Sequence, residues 1–332
     1  MSIYKEIIAA IDAAQKIVIT AHKSPDGDSI GSSLGLKRAI EKSGKQVNVC
    51  HPDRAPKVFG FLADATSIIA WEDQAEEIQC LVEEADLVFA LDYNDFSRLG
   101  QEMGEFMLPY ASKTILIDHH LNPSEGMKLS LSDTNCCSAA QLVYDVLDYG
   151  RPEWIDASVS EPLYLGIMTD TGSFRFPSVE ARTHEILGKM IESGLQHFKI
   201  HEAVFDSNTL DRLKLKGYAT SEKLELVHNN TVALVSLSEE ELTRFNYQKG
   251  DTEGLVNLAL SIEGVKAAVF AYEQEGKVKI SFRGKGDYEV NQLAADHFNG
   301  GGHKYAAGGM SLEGLIPAMD KIKSLIPSYL KA

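Results

Sequence analysis

Within seven residues this chain carries one imidazole and two carboxylates, in His22-Lys23-Ser24-Pro25-Asp26-Gly27-Asp28. They follow the apolar run Ile17-Val18-Ile19-Thr20, where a buried strand should end in a turn. Imidazole and carboxylate together suit a divalent cation such as Mn²⁺ better than a thiolate-seeking ion. Without a cation among them, carboxylates crowded on a short loop repel and desolvate one another. The string also has a plainer reading, an Asx-rich turn in which an aspartate caps the next helix.

Three more such groups stand at the ends of predicted elements: Leu91-Asp92-Tyr93, Ile117-Asp118-His119-His120 and Met168-Thr169-Asp170-Thr171-Gly172. Taken singly, Asp92 reads equally as the cap of a turn, Asp170 as the start of a tight Asp-Thr-Gly turn, and His119 as a hydrogen-bonded core histidine. Taken together, they occupy one kind of position. Ligands of a parallel α/β sheet gather at the carboxyl ends of its strands. The loops would then bring His22, Asp26, Asp28, Asp92, His119 and Asp170 into one crevice.

The elements that must position these residues alternate in the first half of the chain. Strand patterns cover 16–20, 46–50, 85–91 and 114–117; helical patterns cover 29–43, 72–84, 138–149 and 158–168, the last interrupted near its start by Pro162. Near-continuous apolar strands alternating with helices predict a parallel sheet covered on both faces. The stretch 181–217 is helical and carries no strand pattern. Beyond it, 231–237, 265–272 and 277–282 read as strands, with Glu275-Gly276 as a hairpin turn. Ser238-Glu239-Glu240-Glu241 has capping-box spacing, and 289–298 reads as a helix cut off by Gly300-Gly301-Gly302-His303. The predicted fold is therefore an α/β, mainly parallel-sheet domain (1–185), a helical linker (186–217) and a smaller α+β domain (218–332).

Bulk composition narrows the function. At 332 residues the chain is long for one core, and 44% hydrophobic with 24% charged residues describes a soluble protein. No apolar run approaches the roughly 20 residues of a membrane span, and Met1-Ser2-Ile3-Tyr4-Lys5-Glu6 lacks a signal peptide's basic start. Cys50, Cys80, Cys136 and Cys137 form no C-x-x-C pair and read as small buried hydrophobes of a reducing, cytoplasmic compartment. The net charge of −16 and the lack of a basic run argue against gripping a long nucleic acid. A nucleic-acid substrate of this protein should be short.

The ordered set His22-x-x-x-Asp26-x-Asp28, Asp92, Asp118-His119-His120 and Asp170 resembles the four motifs of the DHH phosphoesterase superfamily. Gly300-Gly301-Gly302-His303, followed by Ala306-Ala307-Gly308, resembles the glycine-rich signature of its DHH-associated C-terminal domain. The resemblance covers nearly the whole chain. Within the superfamily, length and the absence of extra domains resemble the NrnA-type oligoribonucleases, or nanoRNases, which also dephosphorylate 3′-phosphoadenosine 5′-phosphate (pAp).

The resemblance implies a division of ligands. His22, Asp26 and Asp92 would hold one ion and Asp28, Asp92, His119 and Asp170 a second, with Asp92 bridging. Mn²⁺ is the expected metal and Mg²⁺ the alternative. Charge counting agrees, since four carboxylates balance two divalent cations. Paired ions acidify the water between them and stabilise attacking and leaving oxygens. Asp118 would orient the histidines, and His120 would contact the phosphate. Three consecutive glycines let backbone N–H groups approach a phosphate or base closely, although a flexible turn is the simpler reading. The expected substrate-binding set is Gly300, Gly301, Gly302, His303, Arg283 and Arg98. Arg283 would pair with a terminal phosphate, while Arg98 reads equally as a surface arginine.

The resulting expectation is a two-metal hydrolase whose smaller domain closes over short single-stranded RNA or pAp. Its products would be mononucleotides and the 3′-dephosphorylated nucleotide. Hydrolysis of cyclic or linear dinucleotides is the competing activity, and a non-catalytic nucleotide sensor the competing class. No membrane partner is expected, and a homodimer is compatible with the sequence.

Overall fold

The apolar run before His22 forms an interior strand of a six-stranded parallel sheet. The computed structural model describes residues 2–330. Two compact units divide the chain, one up to Ser207 and one from Asn208 onward. The first begins with α1 (Ile3–Ala13), β1 (Lys16–Ala21), α2 (Gly27–Glu41), β2 (Gln46–His51) and β3 (Ile69–Ala70). There follow α3 (Trp71–Glu84), β4 (Leu87–Leu91), α4 (Gln101–Met107), β5 (Thr114–Asp118) and β6 (Leu129–Ser132). Four helices complete it: α5 (Ala139–Gly150), α6 (Ala157–Asp170), α7 (Ala181–Glu192) and α8 (His197–Phe205).

The strand order is β3-β2-β1-β4-β5-β6, and every pairing is parallel. From β1 the chain works outward to β2 and β3; from β4 it works outward the other way. The topological switch point, where such folds bind ligands, therefore lies between the ends of β1 and β4. Alternation along the strands fills both faces: Ile17, Ile19, Phe89 and Ile117 join one core, and Val18, Val88, Ala90 and Leu116 the other.

Two helices depart from the sequence reading for local reasons. α2 starts two residues early because Asp26 caps it in a full capping box with Ser29. Pro162 lies inside α6 without interrupting it. The carbonyl of Ser158, four residues earlier, is bonded instead by Arg38 Nη1 at 2.6 Å. α2 and α6 lie so close that a Cβ on Gly31 would collide with the Pro162 carbonyl, and one on Gly166 would stand 2.8 Å from Asp28 Oδ1. This close packing brings the start of α2 against the body of α6.

The stretch 181–217 is three helices rather than one. α7 and α8 belong to the first unit, and the second opens with α9 (Leu210–Ser221). It continues with β7 (Leu224–Val227), β8 (Val232–Leu237), α10 (Glu239–Arg244), α11 (Leu255–Leu260), β9 (Ala267–Gln274) and β10 (Lys277–Gly284). α12 (Asn291–His297), β11 (Gly301–His303), β12 (Ala306–Ser311) and α13 (Leu315–Tyr329) complete it. The sheet order is β11-β12-β10-β9-β8-β7; only β8 and β9 run parallel. The expected hairpin is present, with Glu275 and Gly276 at φ 54° and 71° as a tight two-residue turn requires. Ser238 caps α10 as its spacing predicted.

All four cysteines are free; Cys80 is exposed, contrary to expectation, because its helix turns that face to solvent. Among the described residues no helix is long and apolar enough to cross a membrane.

Candidate metal centre

The ends of β1, β4 and β5 carry the motif residues. His22 follows β1, Asp92 follows β4, Asp118 closes β5, and His119 and His120 come next. Asp26 and Asp28 stand at the start of α2, and Asp170 is the last residue of α6 rather than part of the loop beyond it. His22 Nε2 lies 3.3 Å from Asp92 Oδ2 and 3.7 Å from Asp26 Oδ1. His119 Nε2 lies 3.4 Å from Asp92 Oδ1, 3.5 Å from Asp170 Oδ2 and 3.8 Å from Asp28 Oδ2. Asp92 thus divides its two oxygens between two histidines. Three overlapping trios have the spacing to hold a metal: His22–Asp26–Asp92, Asp28–His119–Asp170 and Asp92–His119–His120. The structure brings all six expected metal-binding residues together.

The two separations to Asp92, 3.3 and 3.4 Å, each suit ligands of one ion better than hydrogen bonds. Donors held about 2.1 Å from one ion, at right or tetrahedral angles, stand roughly 3.0–3.4 Å apart. A carboxylate–imidazole hydrogen bond would be shorter. The donor set, nitrogen and carboxylate oxygen without thiolate, fits a divalent ion of intermediate hardness.

Backbone groups aim most of these side chains. His22 Nδ1 donates to the Lys23 carbonyl at 2.9 Å, which leaves Nε2 to face the carboxylates. His119 Nδ1 faces the Cys136 carbonyl at 3.3 Å in the same way. Asp28 accepts from Ala139 N at 2.7 Å and Ala140 N at 2.9 Å, the first amides of α5. Asp26 Oδ1 accepts from Asp28 N and Ser29 N, both at 3.0 Å. The capping reading of the opening loop therefore holds, and the same Asp26 that caps α2 also faces His22.

The buried carboxylate of Asp118 folds back in an Asx turn to accept from His120 N at 3.1 Å and His120 Nδ1 at 2.7 Å.

Crowding sets the protonation of the centre. Burial, then the charges of Asp92 and Asp170, pushes the Asp28 carboxyl well above its ordinary range. Burial likewise raises Asp170 to about 7, with His119 opposing and Asp92 and Asp26 adding to the rise. Burial opposes ionisation of Asp92 too, but His119 and His22 outweigh it and hold this carboxylate far below its usual range. The same carboxylates overcome burial to raise His22 and His119 well above the ordinary imidazole value. The metal-free centre thus holds protons that a cation would displace.

Sequence reasoning missed His51, which ends β2 and is fully buried. Its Nε2 meets Ser33 Oγ at 3.1 Å, and burial, then His22, lowers its pKa to about 3. A lone histidine closing an apolar strand was the available signal.

The expected substrate-binding residues belong to both units. Arg98 is exposed on the short turn Phe96–Leu99, and its carbonyl accepts from Lys23 N at 2.8 Å, beside the His22 loop. Arg283 lies in β10 of the second unit, half-buried, with Nη1 donating to the Phe282 carbonyl at 2.9 Å. Among the described residues no carboxylate pairs with it, and burial lowers its pKa. Arg283 pairs in register with Ala306, which pairs with His303 across β12 and β11. The side chain of His303 lies outside the described residues.

Gly301 and Gly302 form an edge strand with His303, and Gly300 immediately precedes it. A Cβ on Gly300 would collide with the Gly308 carbonyl; one on Gly302, at φ 144°, would collide with that of Ala306. Only Gly301 has open space where a side chain would be. Close strand packing accounts for two of the three glycines.

A parallel sheet with its Asp/His cluster at the switch point, joined to a mixed-sheet unit, has counterparts among known families. Residues 16–167 match the DHH family, N-terminal domain, and residues 229–332 match the DHHA1 domain. The chain belongs to the DHH family and is a phosphoesterase hydrolase. Within that family it is NrnA-like. It is 30% identical to the bifunctional oligoribonuclease and PAP phosphatase NrnA of Thermus thermophilus, over 95% of this chain and 89% of that one. Identity to the NrnA of Bacillus subtilis is 26%, over 91% of both chains. The crystal structure of an exopolyphosphatase-related protein from Bacteroides fragilis superposes with a TM-score of 0.94 at 34% identity, covering 98% of this chain and 96% of that one.

Proposed function

We propose that this chain is a two-metal, Mn²⁺-dependent phosphoesterase that hydrolyses short RNA oligonucleotides to mononucleotides and removes the 3′-phosphate of pAp. The observation that carries the reading is Asp92, whose two oxygens face His22 at 3.3 Å and His119 at 3.4 Å in adjoining trios. Ions bound there would supply Lewis acidity toward a phosphate oxygen and acidify a water to serve as nucleophile. Asp92 fixes the spacing of the two trios. Asp28 is held by the first amides of α5 and Asp170 by the end of α6, so rigid helices complete the second trio. His120, braced at Nδ1 by buried Asp118, is the proposed phosphate contact and proton carrier to the leaving oxygen.

In this reading Arg98 neutralises substrate phosphate beside the centre. Arg283 and the stretch from Gly300 to His303 recognise the nucleotide, as an arginine with no carboxylate partner among the described residues suits. Catalysis is assigned to 1–185, the linker to 186–217 and recognition to 218–332. The net charge of −16 supports a short substrate, and the four free cysteines suit a reducing cytoplasm. The NrnA relatives span most of this chain, which supports the same choice of substrates.

The test is a product-resolved assay with Mn²⁺ on RNA of two to five nucleotides, pAp, cyclic di-AMP and pyrophosphate. Mononucleotide release from RNA and phosphate release from pAp are expected. Turnover of cyclic di-AMP alone would reassign the protein to dinucleotide hydrolysis. Binding without turnover of any of the four would make it a sensor.

A further inference from the structure

The residue after the bridging carboxylate is a fully buried tyrosine. Tyr93 packs in the core with Val18, Phe96, Leu99 and Met103. A buried tyrosine hydroxyl needs a polar partner, and Tyr93 finds Thr20 Oγ1 at 2.7 Å. Thr20 Oγ1 in turn donates to the Phe89 carbonyl at 2.9 Å. A carbonyl can only accept, so the threonine hydrogen is committed to Phe89 and Tyr93 must be the donor to Thr20. The chain of bonds has one direction: Tyr93 to Thr20 to Phe89.

Its endpoints matter. Thr20 stands two residues before His22 on β1, and Tyr93 adjoins Asp92 after β4. This bond therefore ties together the two strand ends that flank the switch point. Asp92 itself has φ 61°, a left-handed conformation uncommon for a residue with a Cβ. Such a conformation persists where the surroundings over-determine it. Asp92 N donates to the Ile117 carbonyl at 3.1 Å on one side, and the anchored Tyr93 holds the other. The left-handed turn lets the carboxylate face the histidines while the next side chain enters the core.

We propose that the Tyr93–Thr20 hydrogen bond is a positioning device for the bridging carboxylate. It holds Asp92 in its left-handed turn and in register with His22, and so sets the affinity for a pair of ions. The proposal rests on the two-metal reading above.

Four variants separate positioning from general stability. Tyr93→Phe removes the bond and strands nothing, because Thr20 still donates to Phe89. Thr20→Val leaves the tyrosine hydroxyl buried without a partner, so it should destabilise the fold more. The double variant removes that orphan and should regain stability. Thr20→Ser keeps the acceptor. The readouts are calorimetric titration with Mn²⁺, the EPR distinction between coupled and isolated Mn²⁺, and thermal melting.

Expected is a loss of roughly 10- to 100-fold in affinity for the second ion, the range for groups that orient metal ligands. The loss should be similar in Tyr93→Phe, Thr20→Val and the double variant, with more isolated-ion signal, and Thr20→Ser should behave as the parent. Wild-type-like binding of two ions by Tyr93→Phe overturns the proposal. So does an affinity that recovers with stability in the double variant. A parent protein that binds fewer than two ions overturns the two-metal reading itself, and the proposal falls with it.

Discussion

The two candidate regions are built on opposite principles. In the first unit, the proposed ligand side chains are aimed by backbone: the Lys23 and Cys136 carbonyls turn His22 and His119, and the amides of Ala139 and Ala140 hold Asp28. In the second, the backbone itself is the constrained part, because β11 packs so closely on β12 that Gly300 and Gly302 admit no side chain. Arg283 there has no carboxylate partner among the described residues. A centre that must hold fixed charges needs every ligand braced. A surface that must accept a phosphate benefits from a cation left unneutralised.

Perturbing each region should give a different signature. Asp92→Asn keeps a side chain that tolerates the left-handed turn but removes the bridging charge. Turnover should fall by roughly three orders of magnitude or more with the melting temperature little changed, and steady-state kinetics beside a melt will check both. Activity within tenfold of the parent would break the comparison. Arg283→Ala should raise KM by roughly 10- to 100-fold, as loss of a charge-assisted contact does, while Mn²⁺ affinity stays constant. A parallel loss of metal binding would mean that the two roles are not separate.

The glycines offer a finer test. Gly302→Ala should destabilise the second unit by about 1–3 kcal/mol, because its Cβ meets the Ala306 carbonyl. Gly301→Ala should stay within about 0.5 kcal/mol. Denaturant melts of the two variants compare them directly. Equal costs would remove the packing explanation.

The smallest expected effect concerns pH and belongs to the first unit alone. Asp28 and Asp170 have raised folded-state pKa values, so the metal-free fold binds more protons than the unfolded chain and loses stability as pH climbs from about 4 past 7. The raised values of His22 and His119 act in the same direction: their contribution is complete below the ordinary imidazole pKa and lost through the higher folded one. Metal-free protein should therefore melt a few degrees lower at pH 8 than at pH 6, and Mn²⁺ should remove the difference. A metal-free melting point that rises over that interval would contradict the proton-loaded centre.

Residue type at strand ends made the centre legible. Asp92, His119 and His22 each stand one residue beyond a strand, and a switch point is where such strands expose their ends. What the sequence concealed was carried by main chain or by long-range packing. Nothing in residues 136–140 announces that a carbonyl serves His119 or that two amides serve Asp28. Pro162 read as a break because Arg38, far away in sequence, takes over the freed carbonyl. The glycine run read as a loop because glycine disfavours strands, whereas here its lack of a Cβ is what permits the strand pairing.

The hydrogen bonds that Asp28 accepts from the start of α5 also bear on how the molecule is assembled. They join residues 111 and 112 positions apart, and the proposed centre also draws Asp170 from the end of α6. Closing so long a stretch of chain is entropically unfavourable and comes late in folding. A nascent chain halted before α6 has five of the six proposed ligands but lacks Asp170 and cannot complete the second trio. Loading of the ion pair would accordingly mark a finished first unit, making metal uptake a checkpoint on chain completion as well as a requirement for chemistry.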